Sequence, residues 1–148
     1  MKFKIHNKEE QPEIIRLLRN VPLFSSLNDK ALKSVVLESR EVSYPAGKVI
    51  VKEGGSSFVF HLVLDGAVEI QKHQKRIAKL GKGEFFGEMG ILTGEQRSAD
   101  VVAIEPTRIL AITSWDFKTF LRTNPSVSYE LLRTLALRLS KADQIVPE

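Results

Sequence analysis

The chain has 148 residues, 43% of them hydrophobic, a usual length for one domain and enough apolar matter for a sizeable core. It contains no cysteine, which excludes disulfides and thiolate metal sites and suits the cytoplasm. A net charge of +4 favours anionic ligands mildly and does not by itself imply nucleic acid. No stretch approaches the roughly 20 apolar residues of a membrane span, and the opening M-K-F-K-I-H-N-K-E-E has no apolar run of signal-peptide length. One soluble, cytoplasmic domain spanning residues 1–148, with no membrane segment, is expected.

The spacing predicts helices over about 8–37. Ile14, Ile15, Leu17 and Leu18 recur at helical intervals, and Asn28-Asp29 can cap a second helix holding Leu32, Val35 and Val36. From 38 to 113 the pattern changes to short β-rich runs, the clearest at 49–52, 58–64, 67–72, 99–104 and 108–112. Turn signals punctuate them: Pro45-Ala46-Gly47, Glu53-Gly54-Gly55, Asp65-Gly66, Gly81-Lys82-Gly83 and Glu105-Pro106. The expected fold class is mainly β with flanking α-helices, a sandwich or barrel with enough strands for much of a jelly roll. Asp65-Gly66 reads as a hairpin turn.

A basic run follows, with Lys72, His73, Lys75, Arg76, Lys79 and Lys82 and no acid among them. It reads first as a solvated hairpin tip, with steering of an anion as the sharper alternative. C-terminal helices are expected over about 114–144. Ser114 can cap the first, which carries Phe117, Phe120 and Leu121 and stops before Asn124-Pro125 because a residue before proline is pushed out of helical geometry. The second, from Ser126, presents Val127, Leu131 and Leu135 on one stripe and Leu132, Ala136 and Leu139 on an adjoining one. That surface is wider than one contact needs. On one reading all of it packs on the barrel, and on the other part of it pairs with a second subunit in a homodimer through this helix.

The densest chemistry lies in residues 86–99, F-G-E-M-G-I-L-T-G-E-Q-R-S-A. An apolar strand end meets Gly87, where backbone N–H groups can approach a ligand without interference from a Cβ. A short helical turn from Glu88 would aim its unpaired N–H groups at negative charge. Glu88 accepts hydrogen bonds and repels phosphate, so a sugar hydroxyl is its sensible partner. Arg97 offers a planar fork to paired phosphate oxygens, and Ser98 a further donor. A salt bridge between Glu88 and Arg97, nine residues apart, is the competing reading.

Residues 86–99 resemble the phosphate-binding cassette of the cyclic nucleotide-binding domain family, typified by catabolite activator protein and the regulatory subunits of cyclic-AMP-dependent protein kinase. The resemblance implies a jelly-roll (double-stranded β-helix) barrel and a cAMP or cGMP ligand held by Gly87, Glu88, Met89, Arg97, Ser98 and Ala99, with no other cofactor. It assigns the ribose 2′-hydroxyl and the cyclic phosphate to Gly87, Glu88 and Arg97. Gln96 stands where many members carry proline, and Gly90 where many carry alanine; both changes are expected to loosen the segment. In this family the last helix closes over the base. Counting from Asn124-Pro125, the positions that carry hydroxyls in catabolite activator protein are Ala142 and Asp143 here. Asp143 can accept from a base amino group, or it can be a solvated helix end, and Ile77 and Leu80 are candidates for the apolar wall beside the base.

Other features point away from chemistry. His6, His61 and His73 form no metal set, and no His-x-His of a cupin-type metalloenzyme occurs. His61 reads as a satisfied barrel residue, Trp115 as core or partly exposed packing, and residues 53–57 as a turn lacking the lysine of a triphosphate loop. No nucleophile–base pair appears, so catalysis is not expected. Direct DNA binding by this chain is not expected, since too few residues follow the last helix for a helix-turn-helix. The expected function is a regulatory module that senses a cyclic nucleotide and repositions its C-terminal helices. The alternative is a ligand-free scaffold or dimerisation module on the same fold.

Overall fold

A computed structural model describes the backbone of residues 2–4, 11–55 and 58–145, and side chains within 12–55 and 58–141. Alternation along one strand sets the architecture. β4 (Val59–Asp65) turns Phe60, Leu62 and Leu64 to one side and His61 and Val63 to the other, and all five are buried. A strand buried on both faces must lie between two layers. One layer is helical. α1 (Gln11–Arg19), α2 (Asp29–Glu38), α4 (Ser114–Thr123) and α5 (Pro125–Ile145) place Leu18, Leu32, Phe117 and Leu131 against Phe60 and Leu62. The other layer is a second sheet, whose Val68, Leu80 and Val101 meet Val63 and Ile109.

The first sheet has the order β1 (Lys2–Lys4), β2 (Ser39–Tyr44), β9 (Thr107–Thr113), β4 and β7 (Phe85–Phe86). The second has the order β3 (Val49–Val51), β8 (Asp100–Ala103), β5 (Ala67–Lys72) and β6 (Lys75–Gly81). Every pairing among the described residues is antiparallel. The two facing sheets with flanking helices form the jelly roll that the sequence implied. Asn28 caps α2, accepting from the Ala31 N–H at 2.9 Å.

Four expectations need correction. Asp65-Gly66 joins no hairpin, because β4 and β5 belong to different sheets. Gly66 is instead a crossover at φ +96°, where an added Cβ would lie 2.5 Å from the Pro106 carbonyl oxygen and 2.6 Å from Thr107 Oγ1. The basic run is mostly strand β6, and only His73 and Gln74 form its tip, at φ 53° and 64°. Thr113, rather than Ser114, caps α4, its Oγ1 accepting from the Asp116 N–H at 3.3 Å. Trp115 is 77% exposed, not core.

Candidate functional site

Phe85 and Phe86 end as strand β7 against Leu62 and His61 of β4, and the chain then reverses at Gly87 with φ +94°. A Cβ there would collide with the Val59 carbonyl oxygen and lie 3.1 Å from Arg97 Nη1, so glycine is required twice over, by backbone geometry and by close approach. α3 (Glu88–Thr93) begins at once, and its left-handed end at Gly94 returns an N–H to the Gly90 carbonyl at 2.9 Å. Gly90 also faces Phe58. A Cβ on it would press to 3.2 Å from the Phe58 ring, so its absence admits Phe58.

Arg97 is positioned from both ends. Its side chain donates from Nη2 to the Val59 carbonyl at 3.1 Å. Its backbone is held by the preceding turn: Gly54 N–H donates to the Arg97 carbonyl at 2.8 Å, and Arg97 N–H donates to the Gly55 carbonyl at 3.1 Å. The glycine turn read as a plain connection is therefore the clamp that sets the arginine. The guanidinium borders a cavity of about 260 Å³ that Gly87, Glu88, Met89, Ser98 and Ala99 also line. The six cassette residues singled out from the sequence thus share one cavity. Glu88 is the buried one, 4% exposed, while Met89 and Ser98 are exposed.

Glu88 forms its ion pair with an arginine from another element. Arg138 of α5 donates from Nη1 to Glu88 Oε1 at 2.9 Å and from Nη2 to the Phe85 carbonyl at 2.9 Å. Its guanidinium carbon also sits 4.5 Å from the Phe85 ring centroid. Burial pushes the Glu88 carboxyl pKa up, and its own backbone hydrogen bond together with the charges of Arg138 and Arg97 opposes that. Burial draws the Arg97 pKa down against the pull of Glu88. Nothing in the sequence reading named Arg138. The available signal was its place on α5, seven residues after Leu131, where a charge continues the stripe that packs inward.

A second cavity of about 550 Å³ opens between α5 and the β5–β6 pair and shares Ile70 and Arg138 with the first. Leu80 lines it along with Thr134, Leu137 and Lys141. Ile77 is 60% exposed on β6 and lines neither cavity. The side chain of Asp143 lies outside the described residues. His61 is buried and stacked on Phe86, ring centroids 4.6 Å apart, but its Nδ1 has no hydrogen-bond partner among the described residues. It is therefore not the satisfied barrel residue expected. Among the described residues no group of His, Asp or Glu is placed to hold a metal ion, and no helix is long and apolar enough to cross a membrane.

The chain is similar to known proteins over most of its length. Residues 41–124 match the family model described as the cyclic nucleotide-binding domain. The cyclic AMP receptor protein of Thermus thermophilus is 34% identical over 131 residues, covering 85% of this chain and 61% of that protein. A cyclic nucleotide-gated potassium channel of Mesorhizobium japonicum is 34% identical over 122 residues, covering 82% of this chain and 34% of the channel. The crystal structure of Thermus thermophilus catabolite activator protein superimposes with a TM-score of 0.75 at 35% identity, over 83% of this chain and 60% of that one. The chain thus spans between about a third and about three fifths of the length of these relatives. Its jelly roll, the Gly87 turn and the residues gathered around Arg97 agree with the match in sequence, and the chain belongs to the cyclic nucleotide-binding domain family.

Proposed function

We propose that this domain senses a cyclic nucleotide, cyclic AMP or cyclic GMP, and passes occupancy to its C-terminal helices. The observation that carries the reading is the pairing of opposite chemistries on one cavity: the Arg97 guanidinium and the buried Glu88 carboxylate both border it, beside a glycine turn that brings backbone close. A cyclic phosphate needs the donor fork of Arg97 and Ser98, and a ribose 2′-hydroxyl needs an acceptor, which Glu88 supplies. Relatives named as a cyclic AMP receptor and a cyclic nucleotide-gated channel support the ligand class. The larger cavity beside Ile70, Leu80 and Arg138 has the apolar wall and the room that a base requires.

The output follows from Arg138. It is on α5 and holds Glu88, so a ribose hydroxyl donating to that carboxylate changes a contact between site and helix. A ligand shifts such an equilibrium only by its difference in affinity for the two helix positions. The helix also offers a partner surface. Tyr129, Leu132, Ala136 and Leu139 recur at intervals of three, four and three and are exposed, whereas Val127 and Leu131 are buried. That spacing is the seam of a two-stranded coiled coil, and a second copy of this chain is the partner it fits.

Isothermal titration with cyclic AMP and cyclic GMP tests the reading. Saturable binding of at least one is expected. Absence of binding by both overturns it and favours the ligand-free dimerisation module.

A further inference from the structure

Strand alternation leaves a second space inside the roll. Val42 and Tyr44 of β2, Val59 and His61 of β4 and Ala111 of β9 share the face of their sheet that turns away from the helices. With Ile50 of β3 opposite, they line a cavity of about 670 Å³ that opens to solvent. Val51 and Arg97 line both this space and the 260 Å³ cavity of the cassette, so the two are neighbours across a shared wall. A volume of this size, with apolar walls and a few convergent polar groups, is that of a small-molecule site.

The charged groups at this cavity are Arg40, Lys52 and Arg97 against one acid, Glu38. Burial and the nearby Asp116 push the Glu38 carboxyl pKa up. His61 lines the same cavity. Its Cδ2 edge faces Gly87, and Nδ1, on the other side of the ring, is the buried atom without a hydrogen-bond partner among the described residues. A buried polar atom left without a partner calls for an explanation, and a bound ligand with a polar head supplies one.

We propose that the interior of the roll is a second binding site, distinct from the cassette, for an organic monoanion with an apolar body, of the class of medium-chain carboxylates. The alkyl part lies against Val42, Tyr44, Ile50 and Ala111, and the carboxylate turns toward Lys52 and Arg97. The second site does not depend on the cyclic-nucleotide reading. Its coupling to that ligand does, because each anion draws on Arg97, so the two weaken one another.

Octanoate is the probe, with octanol as its neutral counterpart, in isothermal titrations on the wild-type chain, Ala111→Leu and Lys52→Glu. Saturable octanoate binding about tenfold tighter than octanol is expected, as one charge-assisted contact implies. Ala111→Leu, which fills the cavity, and Lys52→Glu, which reverses a charge beside it, should each weaken octanoate about tenfold or more. Cyclic-nucleotide affinity of Ala111→Leu should stay within about twofold of wild type. Methyl resonances of Val42, Ile50 and Ala111 in the wild-type protein should shift with octanoate, which locates the site even if a variant fails to fold. No saturable octanoate binding, octanol binding equally well, or shifts at Met89 and Ala99 in place of those methyls would overturn the proposal. None of these outcomes bears on whether a cyclic nucleotide binds the cassette.

Discussion

Arg138 Nη1 lies 2.9 Å from Glu88 Oε1, joining the last turn of the described α5 side chains to the first residue of α3, fifty positions earlier. One contact therefore links the acid of the cassette to the helix whose movement would report occupancy. Glu88→Gln and Arg138→Met, alone and together, should show a coupling of about 1–3 kcal/mol in chemical unfolding. Arg138→Met leaves the buried Glu88 short of its partner, Glu88→Gln leaves the half-buried Arg138 without an opposite charge, and the double variant removes both. Additive effects would mean that the pair is incidental. The same cycle run with a 2′-deoxy cyclic nucleotide should show less loss from Glu88→Gln than with the ribose form.

Gly87→Ala should cost about 1–3 kcal/mol of stability, because alanine must adopt φ near +94° and its Cβ meets the Val59 carbonyl. The thermal midpoint should fall by several degrees, and cyclic-nucleotide affinity with it. Gly54→Ala is the control, since a Cβ there meets nothing within 4 Å and only its φ of +80° is strained. Equal stability of Gly87→Ala and wild type would remove the steric account of this turn.

The His61 imidazole is held neutral by burial, with the Arg97 charge adding to the effect, and its pKa is pushed down to about 3. The folded value lies below the unfolded one, so this contribution is fully present above pH about 6.5 and is lost as pH falls toward 3, at up to about 1.4 kcal/mol per pH unit. Glu88 acts with the opposite sign, its raised pKa favouring folding only where the carboxyl is protonated. Urea unfolding at pH 7.5 and pH 5 should therefore show a smaller loss of stability on acidification for His61→Gln than for wild type. Parallel losses would contradict the assignment.

The cassette was legible in the sequence because its parts are local: Gly87, Glu88 and Arg97 fall within eleven residues, and each residue type has a separate chemical reason to be there. The helix patterns were legible for the same reason, down to the Asn28 cap. What local pattern could not carry was pairing across distance. Asp65-Gly66 has the composition of a hairpin, yet the pressure on Gly66 comes from Pro106 and Thr107, forty residues away. β2 and β6 were hidden by charges, since Glu41 is buried by its bidentate pair with Arg108 and the lysines of β6 face outward. Arg138 and the Gly54–Arg97 clamp belong to the site only once the chain is folded.

Tyr129, Leu132 and Leu139 are exposed at 67%, 67% and 64%, so replacing them should not disturb the monomer core. Leu132→Lys with Leu139→Lys should convert a dimer to a monomer in sedimentation velocity, while changing the monomer's stability by no more than about 0.5 kcal/mol. A wild-type chain that sediments as a monomer at high concentration would remove the coiled-coil proposal without touching the ligand site.

The cassette reading rests most heavily on Arg97, and isothermal titration of Arg97→Ala against wild type with cyclic AMP and cyclic GMP tests it most directly. Affinity should fall by at least about tenfold, equivalent to roughly 1.5 kcal/mol, the lower end for a hydrogen bond to a charged group. Equal affinity in the folded variant would contradict the account.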